Sequence, residues 1–214
     1  MRILVLPVKS LSKAKRRLSG LLSPMERGAL TLAMLEDALD AALAVAGWET
    51  WVISPDETVL EVAARRGARP VAEEKPPLAA AIRQVEADSS EREADALAVL
   101  LADTALVTHE ALVESLHTLG PVVLAPSSSD GGTNLLVRRP PRSIRARFGP
   151  GSFDKHVEAA AERALPVSMA DREELAFDLD GPDDILTVLR AGREGRTLDV
   201  CRAMDLGSRL RVRA

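Results

Sequence analysis

Three features of this sequence predict an α/β fold with a mostly parallel sheet. Short apolar runs alternate with longer segments of helical period from the first residues onward, as when strands are joined by helical crossovers. Ala96–Leu101 is a continuous apolar run, the pattern of a strand buried on both faces. The chain has 214 residues, enough for one domain that buries roughly 70% of its unfolded surface.

The elements follow in order. Arg2–Val8 is a short apolar run, broken by Pro7 and ended by Lys9, and reads as a first buried strand. Ser23-Pro24-Met25-Glu26 is a capping box with proline at the first helical position, opening a helix to about Gly47. Trp48–Ile53 reads as a second strand, stopped by Ser54-Pro55-Asp56; Thr58–Arg66 is a short helix closed by Gly67, and Arg69–Ala72 a short strand. Leu78–Glu86 is predicted helical, Asp88–Glu93 a charged loop, and Ala96–Leu101 the central strand. Beyond it come a helix over His109–Thr118, strands over Pro121–Ala125 and Thr133–Arg138, and a helix over Ser152–Arg163. A weak strand over Pro166–Ala170 and a helix over Pro182–Leu189 complete the pattern. Residues 1–192 therefore form one domain, and the Arg-rich residues 193–214 read as a loose tail or an oligomer contact, as of a homodimer.

Composition removes several function classes. Hydrophobic residues make up 46% and charged residues 28%, with a net charge of −4. Two Trp, three Phe and no Tyr leave little for base stacking on a basic groove, so nucleic acid is not an expected partner. A single cysteine, Cys201, excludes an internal disulfide framework and a cysteine zinc cluster. No apolar run reaches the ~18 residues that cross a bilayer, and the N-terminus lacks a signal peptide's apolar core. A cytoplasmic protein with no membrane contact is expected.

In open α/β sheets, ligands bind at the carboxyl ends of the strands. Five cations fall in nine residues directly after the first strand, at Lys9, Lys13, Lys15, Arg16 and Arg17. They make either a polyanion cradle or a solvated basic loop. No Gly-rich phosphate loop is present, so phosphate binding here would rely on side chains. Asp103 follows the central strand, where one or two carboxylates plus substrate phosphates suit Mg²⁺, or where a turn simply favours aspartate. A second acidic group, Asp178-Leu179-Asp180-Gly181-Pro182-Asp183-Asp184, lies before the last helix; one of its aspartates is expected to meet the same metal, although Asp180 also suits a helix start. Asp130-Gly131-Gly132-Thr133-Asn134 allows close approach of backbone to ligand. Phe148-Gly149-Pro150-Gly151-Ser152 precedes a helix whose first-turn N–H groups could hold an anion, with Ser152 as N-cap. His109, His117 and His156 have no metal-ligand spacing. His156, one turn after Ser152, is the one closest to a candidate site.

Taken together, these segments resemble the phosphoenolpyruvate and 2-phospho-L-lactate guanylyltransferases of coenzyme F-420 biosynthesis. The resemblance rests on Leu4-Val5-Leu6-Pro7-Val8-Lys9, Ala14-Lys15-Arg16-Arg17-Leu18, Ser54-Pro55-Asp56, Ala102-Asp103, Gly131-Gly132-Thr133-Asn134, Phe148-Gly149-Pro150-Gly151-Ser152-Phe153 and the Asp178–Asp184 stretch, in that order. It covers about residues 2 to 190. It implies a three-layer GT-A-like nucleotidyltransferase fold and transfer of GMP from GTP to a three-carbon phospho-acid, with pyrophosphate released. By the same resemblance Thr133, Gly149 and Ser152 would bind the acid. Lys9, Lys15, Ser54 and Asp56 would face the nucleotide, Lys15 and Asp103 would act in catalysis, and Asp103 and Asp180 would hold Mg²⁺. Two positions depart from the usual pattern. Asp103-Thr104-Ala105 stands where the family reads Asp-Leu-Pro, and Leu78-Ala79 where it reads Leu-Asn with the Asn near the base. The alternatives are a non-catalytic nucleotide-binding homologue, or a nucleotidyltransferase for another small phosphorylated metabolite.

Overall fold

A computed structural model describes residues 1–212. Among these residues the strands are β1 (Arg2–Pro7), β2 (Trp48–Ser54), β3 (Arg69–Ala72), β4 (Ala96–Leu100), β5 (Val122–Pro126), β6 (Thr133–Arg138) and β7 (Val167–Met169). They form one sheet in the order β3-β2-β1-β4-β6-β5-β7. All neighbours pair in parallel except β6, which runs antiparallel to both β4 and β5. The reversal has a functional consequence. In the register Leu100↔Leu135 and Pro126↔Thr133, β6 begins where β4 and β5 end. The start of β6 thus joins the carboxyl ends of β1, β2 and β4 along one edge.

The helices are α1 (Pro24–Leu43), α2 (Glu57–Arg66), α3 (Leu78–Glu91), α4 (His109–His117), α5 (Ser152–Ala161), α6 (Glu173–Ala176), α7 (Pro182–Ala191), α8 (Arg196–Ala203) and α9 (Leu206–Arg211). The capping box opens α1 as expected: Ser23 Oγ accepts from Glu26 N–H at 3.3 Å, and Glu26 Oε2 accepts from Ser23 N–H at 2.7 Å. Helix α2 ends at Gly67, whose φ of 93° is left-handed and suits glycine. Leu35 and Leu39 of α1, Val59 of α2 and Leu112 and Leu116 of α4 cover one face of the sheet. Ile82 and Val85 of α3 and Ala159 and Ala160 of α5 cover the other. This three-layer arrangement buries β4 completely on both faces.

Two expectations fail. Asp88–Glu93 is not a loop, because α3 continues to Glu91; its charged residues face solvent without interrupting the helical hydrogen bonds. Residues 193–214 are not a loose tail as far as they are described. Leu198 and Cys201 of α8 and Leu206 of α9 are buried with Leu30 and Met34 of α1 and Ile185 and Val188 of α7. Arg209 clamps the end by donating to Glu26 Oε1 at 2.6 Å. That bond comes first among the causes that draw the Glu26 carboxyl down to about 2, ahead of the Ser23 N–H. Residues 213 and 214 lie outside the described residues. Leu198→Ala is expected to lower stability by about 2–5 kcal/mol through the cavity it leaves, read from denaturant unfolding. A loose tail would give no change.

Candidate active site

The basic segment after β1 is fixed from both sides. Val8 N–H donates to Ile53 O at 2.9 Å, extending the β1–β2 pairing past Pro7. The chain then makes two 3-10 turns, Leu11–Lys13 and Arg16–Leu18. Asp56 Oδ2 accepts from Leu11 N–H at 2.9 Å and from the Ser10 hydroxyl at 3.3 Å. Ser54, fully buried, accepts from Asp56 N–H at 3.1 Å through its Oγ. On the other side the buried Arg27 of α1 donates from Nε to Ala14 O at 3.1 Å and from Nη1 to Leu22 O at 3.0 Å. Ser54, Asp56 and Arg27 thus shape the loop that carries the cations.

Between these anchors Lys15 takes a left-handed conformation, φ 47° and ψ 47°. For a residue with a Cβ this conformation is uncommon and marks strain held by the surroundings. Its side chain is directed inward. Lys15 Nζ donates to Asp103 Oδ2 and Asp180 Oδ1, each at 3.2 Å. The lysine side chain is 6% exposed, whereas Asp103 and Asp180 are 34% and 38% exposed. Arg17 reaches Asp180 Oδ2 at 3.4 Å from the solvent side. Lys9 is exposed at the end of β1.

Backbone contacts bring the two aspartates together. After β4 the chain turns, with Thr104 donating to Leu101 O from N–H at 3.3 Å and from Oγ1 at 2.8 Å. Leu179 N–H donates to Asp103 O at 3.0 Å, laying the 178–180 segment beside the turn. Asp184 Oδ2 accepts from Asp180 N–H at 2.8 Å and Gly181 N–H at 2.6 Å. The start of α7 is therefore capped by Asp184, and the Asp180 carboxylate faces Lys15. Asp178 turns elsewhere, accepting from Ser127 Oγ at 2.7 Å and Ser129 Oγ at 2.8 Å. Residues two apart on a regular strand would share a face; these diverge because 177–180 is irregular.

The same hydrogen bonds lead into a second group of candidates. Ser127 N–H donates to Gly132 O at 2.9 Å, Phe153 N–H to Gly131 O at 3.1 Å and Gly151 N–H to Asp130 O at 3.3 Å, joining the two glycine segments side by side. Asp130 Oδ1 also accepts from Gly132 N–H at 2.7 Å, and a Cβ on Gly132 would lie 2.5 Å from that oxygen. A side chain there would displace the Asp130 carboxylate from this bond. Gly149 (φ 127°) and Gly151 (φ 62°) provide the turns into α5.

At this point the structure corrects the expectation about Ser152. Gly151 is the N-cap and Ser152 the first helical residue. Ser152 N–H donates to Gly149 O and Phe153 N–H to Gly131 O, so two first-turn amides are committed within the loop. What remains is a side-chain donor. Ser152 is fully buried, and its Oγ has no hydrogen-bond partner among the described residues. An unpaired buried hydroxyl costs free energy unless a ligand or water completes it.

Thr133, 1% exposed, shares a 3.0 Å hydrogen bond with Nδ1 of the fully buried His156. His156 Nε2 accepts from Arg147 N–H at 2.8 Å. Burial, then the charges of Arg138, Arg147 and Lys155, holds the ring's pKa down at about 4. The other histidines stand apart: His109 contacts Ala41 O at 3.3 Å and His117 contacts Val113 O at 2.8 Å. Nothing in the residue order points to the loop anchor Arg27 or to the Ser127–Ser129–Asp178 contacts. Neither spacing nor periodicity records which buried polar groups meet.

The arrangement can hold two anions next to each other. One faces Lys15 with Asp103 and Asp180; the other faces the glycine segments with Thr133 and Ser152. Among the described residues no three or more His, Cys, Asp or Glu are grouped to hold a metal. Two carboxylates already facing one ammonium nevertheless suit a divalent cation whose shell is completed by substrate phosphates and water.

Comparison with known proteins places the chain in a family. A family model described as "Guanylyl transferase CofC like" matches residues 1–211. The chain is 37% identical to the phosphoenolpyruvate guanylyltransferase of Rubrobacter xylanophilus over 191 residues, 88% of this chain and 93% of that protein. It is 38% identical to the 3-phospho-D-glycerate guanylyltransferase of Phenylobacterium zucineum over 97% of this chain and 98% of that one. A solved nucleotidyl transferase from Methanothermobacter superposes with a TM-score of 0.67 at 19% identity, over 89% of this chain and 97% of that chain, and shares the GT-A-like fold. This chain is thus a member of the CofC-like guanylyl transferase family.

Proposed function

We propose that the protein transfers GMP from GTP to the phosphate of phosphoenolpyruvate, releasing pyrophosphate and yielding a guanylylated precursor of coenzyme F-420. The observation that carries this reading is the pair of adjoining anion sites. Lys15 stands between Asp103 and Asp180 at 3.2 Å from each, and hydrogen bonds made by Leu179, Asp178, Ser127 and Phe153 link that cluster to the glycine segments beside Ser152, whose own hydroxyl is unpaired. GTP phosphates occupy the Lys15 side, with the exposed Lys9 following β1 on the same edge of the sheet. Ser54 and Asp56 support the nucleotide by holding the loop beneath it. The acid occupies the side of Thr133, Gly149 and Ser152. Asp103 and Asp180 would hold Mg²⁺, which when bound screens the phosphates and polarises the group under attack.

Two polyanions repel, so the cations of this edge must offset their charge before an in-line attack on the α-phosphorus. The attacking phosphate is ionised near pH 7 and needs no general base. The site agrees: both ring nitrogens of its only histidine, His156, are engaged. Positioning and charge stabilisation supply the rate.

A second reading, 3-phospho-D-glycerate as the acid, is favoured by the Phenylobacterium relative, which matches 97% of this chain against 88% for the Rubrobacter one. Purified protein incubated with GTP, Mg²⁺ and each acid in turn, with pyrophosphate measured, decides between them. Turnover with phosphoenolpyruvate alone is expected; turnover with 3-phospho-D-glycerate alone would replace it, and turnover with no acid would end both readings.

Base selectivity gives a separate test. Ala79 is exposed on the first turn of α3, beyond β3, and offers no polar side chain where the family resemblance leads one to expect Asn. A missing partner for the base costs roughly 1–3 kcal/mol, so a preference for GTP over ATP should be weaker by about ten- to a hundredfold than with Asn. Ala79→Asn should restore it in a competition assay. A GTP preference of several thousandfold in the natural chain would mean that backbone groups read the base.

A further inference from the structure

The contacts of His156 restrict its ring to one state. Arg147 N–H can only donate, so Nε2, 2.8 Å away, accepts and carries no proton. The ring is fully buried, and desolvation keeps it neutral. Its single proton is therefore on Nδ1, which must donate to Thr133 Oγ1 at 3.0 Å. Thr133 accepts this bond and keeps its own hydroxyl hydrogen for another acceptor. The ring also meets Phe148 edge-on, with centroids 5.3 Å apart. One side chain thus touches both Thr133, on the β6 half of the acid site, and the 147–148 segment that leads into Gly149 and Ser152.

We infer that His156 is a positioning residue for the acid site: its Nδ1–H turns the Thr133 hydroxyl into a donor for an anionic oxygen, while its Nε2 fixes the Arg147–Gly149 approach. The inference rests on the proposed placement of the acid at Thr133, Gly149 and Ser152. It gives the histidine a role without proton transfer, since neither nitrogen is available to a substrate.

The test begins with the natural protein. In a ¹⁵N-edited NMR spectrum His156 should show a neutral ring protonated at Nδ1; protonation at Nε2 would overturn the inference, and no variant is needed for this readout. Steady-state kinetics with GTP and phosphoenolpyruvate then separate orientation from simple packing. His156→Asn can place an amide N–H where Nδ1 stands and should keep KM for phosphoenolpyruvate within about threefold. His156→Gln can replace the Nε2 acceptor but not the Nδ1 donor. It should raise that KM about tenfold, the effect of one hydrogen bond to a charged group, and leave KM for GTP unchanged. In a Thr133→Val background His156→Gln should add nothing further. Equal rises in both KM values, or an undiminished effect in that background, would show a packing role only. If Thr133→Val alone leaves KM for the acid unchanged while the ring is protonated at Nδ1, the placement of the acid fails rather than the tautomer.

Discussion

Asp103→Ala is expected to fold normally and to lose turnover by about 10²- to 10⁴-fold, the equivalent of about 3–5 kcal/mol of transition-state stabilisation. The residue is one of two carboxylates on Lys15 Nζ, and its backbone carbonyl, not its side chain, holds Leu179 in place. The fold therefore does not depend on the carboxylate. The proposed site does: removal takes away one of the two carboxylates proposed to hold the metal and leaves Lys15 paired to Asp180 alone, drawn from the phosphates it should face. Pyrophosphate release at saturating GTP and Mg²⁺ measures the loss, with circular dichroism as the control for folding. Near-normal turnover would remove Asp103 from the catalytic centre.

The candidate residues of this proposed centre are legible in the sequence because they obey position rules. A buried parallel strand must be apolar, and ligand groups must follow its carboxyl end. Lys15 and Asp103 are the cation and the acid found there, and the structure joins them. The direction of β6 differs from the mostly parallel pattern, and the length of the preceding loop signals it. Only residues 127–132 separate β5 from β6, too few for the dozen or more that a parallel crossover needs. That count already implied an antiparallel strand, with Thr133 starting at the active edge.

Helices α8 and α9 were hidden for a different reason. Arg196, Arg202, Arg209 and Arg211 dilute the apolar pattern, and Leu198, Cys201 and Leu206 are the fully buried apolar residues of the two helices. Three apolar positions with glycine at 195 and 207 resemble a tail until α1 is present to cover them. The Ser152 cap failed on local detail. A serine before a helical run is a good N-cap, but Gly151 before it takes the left-handed conformation at φ 62° and occupies that position itself.

That displacement changes what substitution at Ser152 should do. A capping serine would cost about 1 kcal/mol of stability when replaced by alanine. Ser152 makes no such bond, and its buried Oγ has no partner among the described residues. Ser152→Ala should therefore leave the unfolding midpoint unchanged or raise it slightly, since the desolvated hydroxyl is removed. Binding should respond in the opposite sense. A hydrogen bond to a charged group contributes about 1.5–3 kcal/mol, so phosphoenolpyruvate should bind about ten- to a hundredfold more weakly, with GTP affinity unchanged. Thr133→Val provides the contrast. It deletes a donor to the acid but also leaves the Nδ1–H of buried His156 without its acceptor, so it should weaken acid binding and lower stability by about 1–3 kcal/mol. Calorimetric titration of both variants with each substrate, alongside thermal unfolding, separates the effects. Loss of GTP binding with the acid spared would exchange the two halves of the site. A Ser152→Ala variant that loses stability and keeps its affinity for the acid would return this residue to a purely structural role.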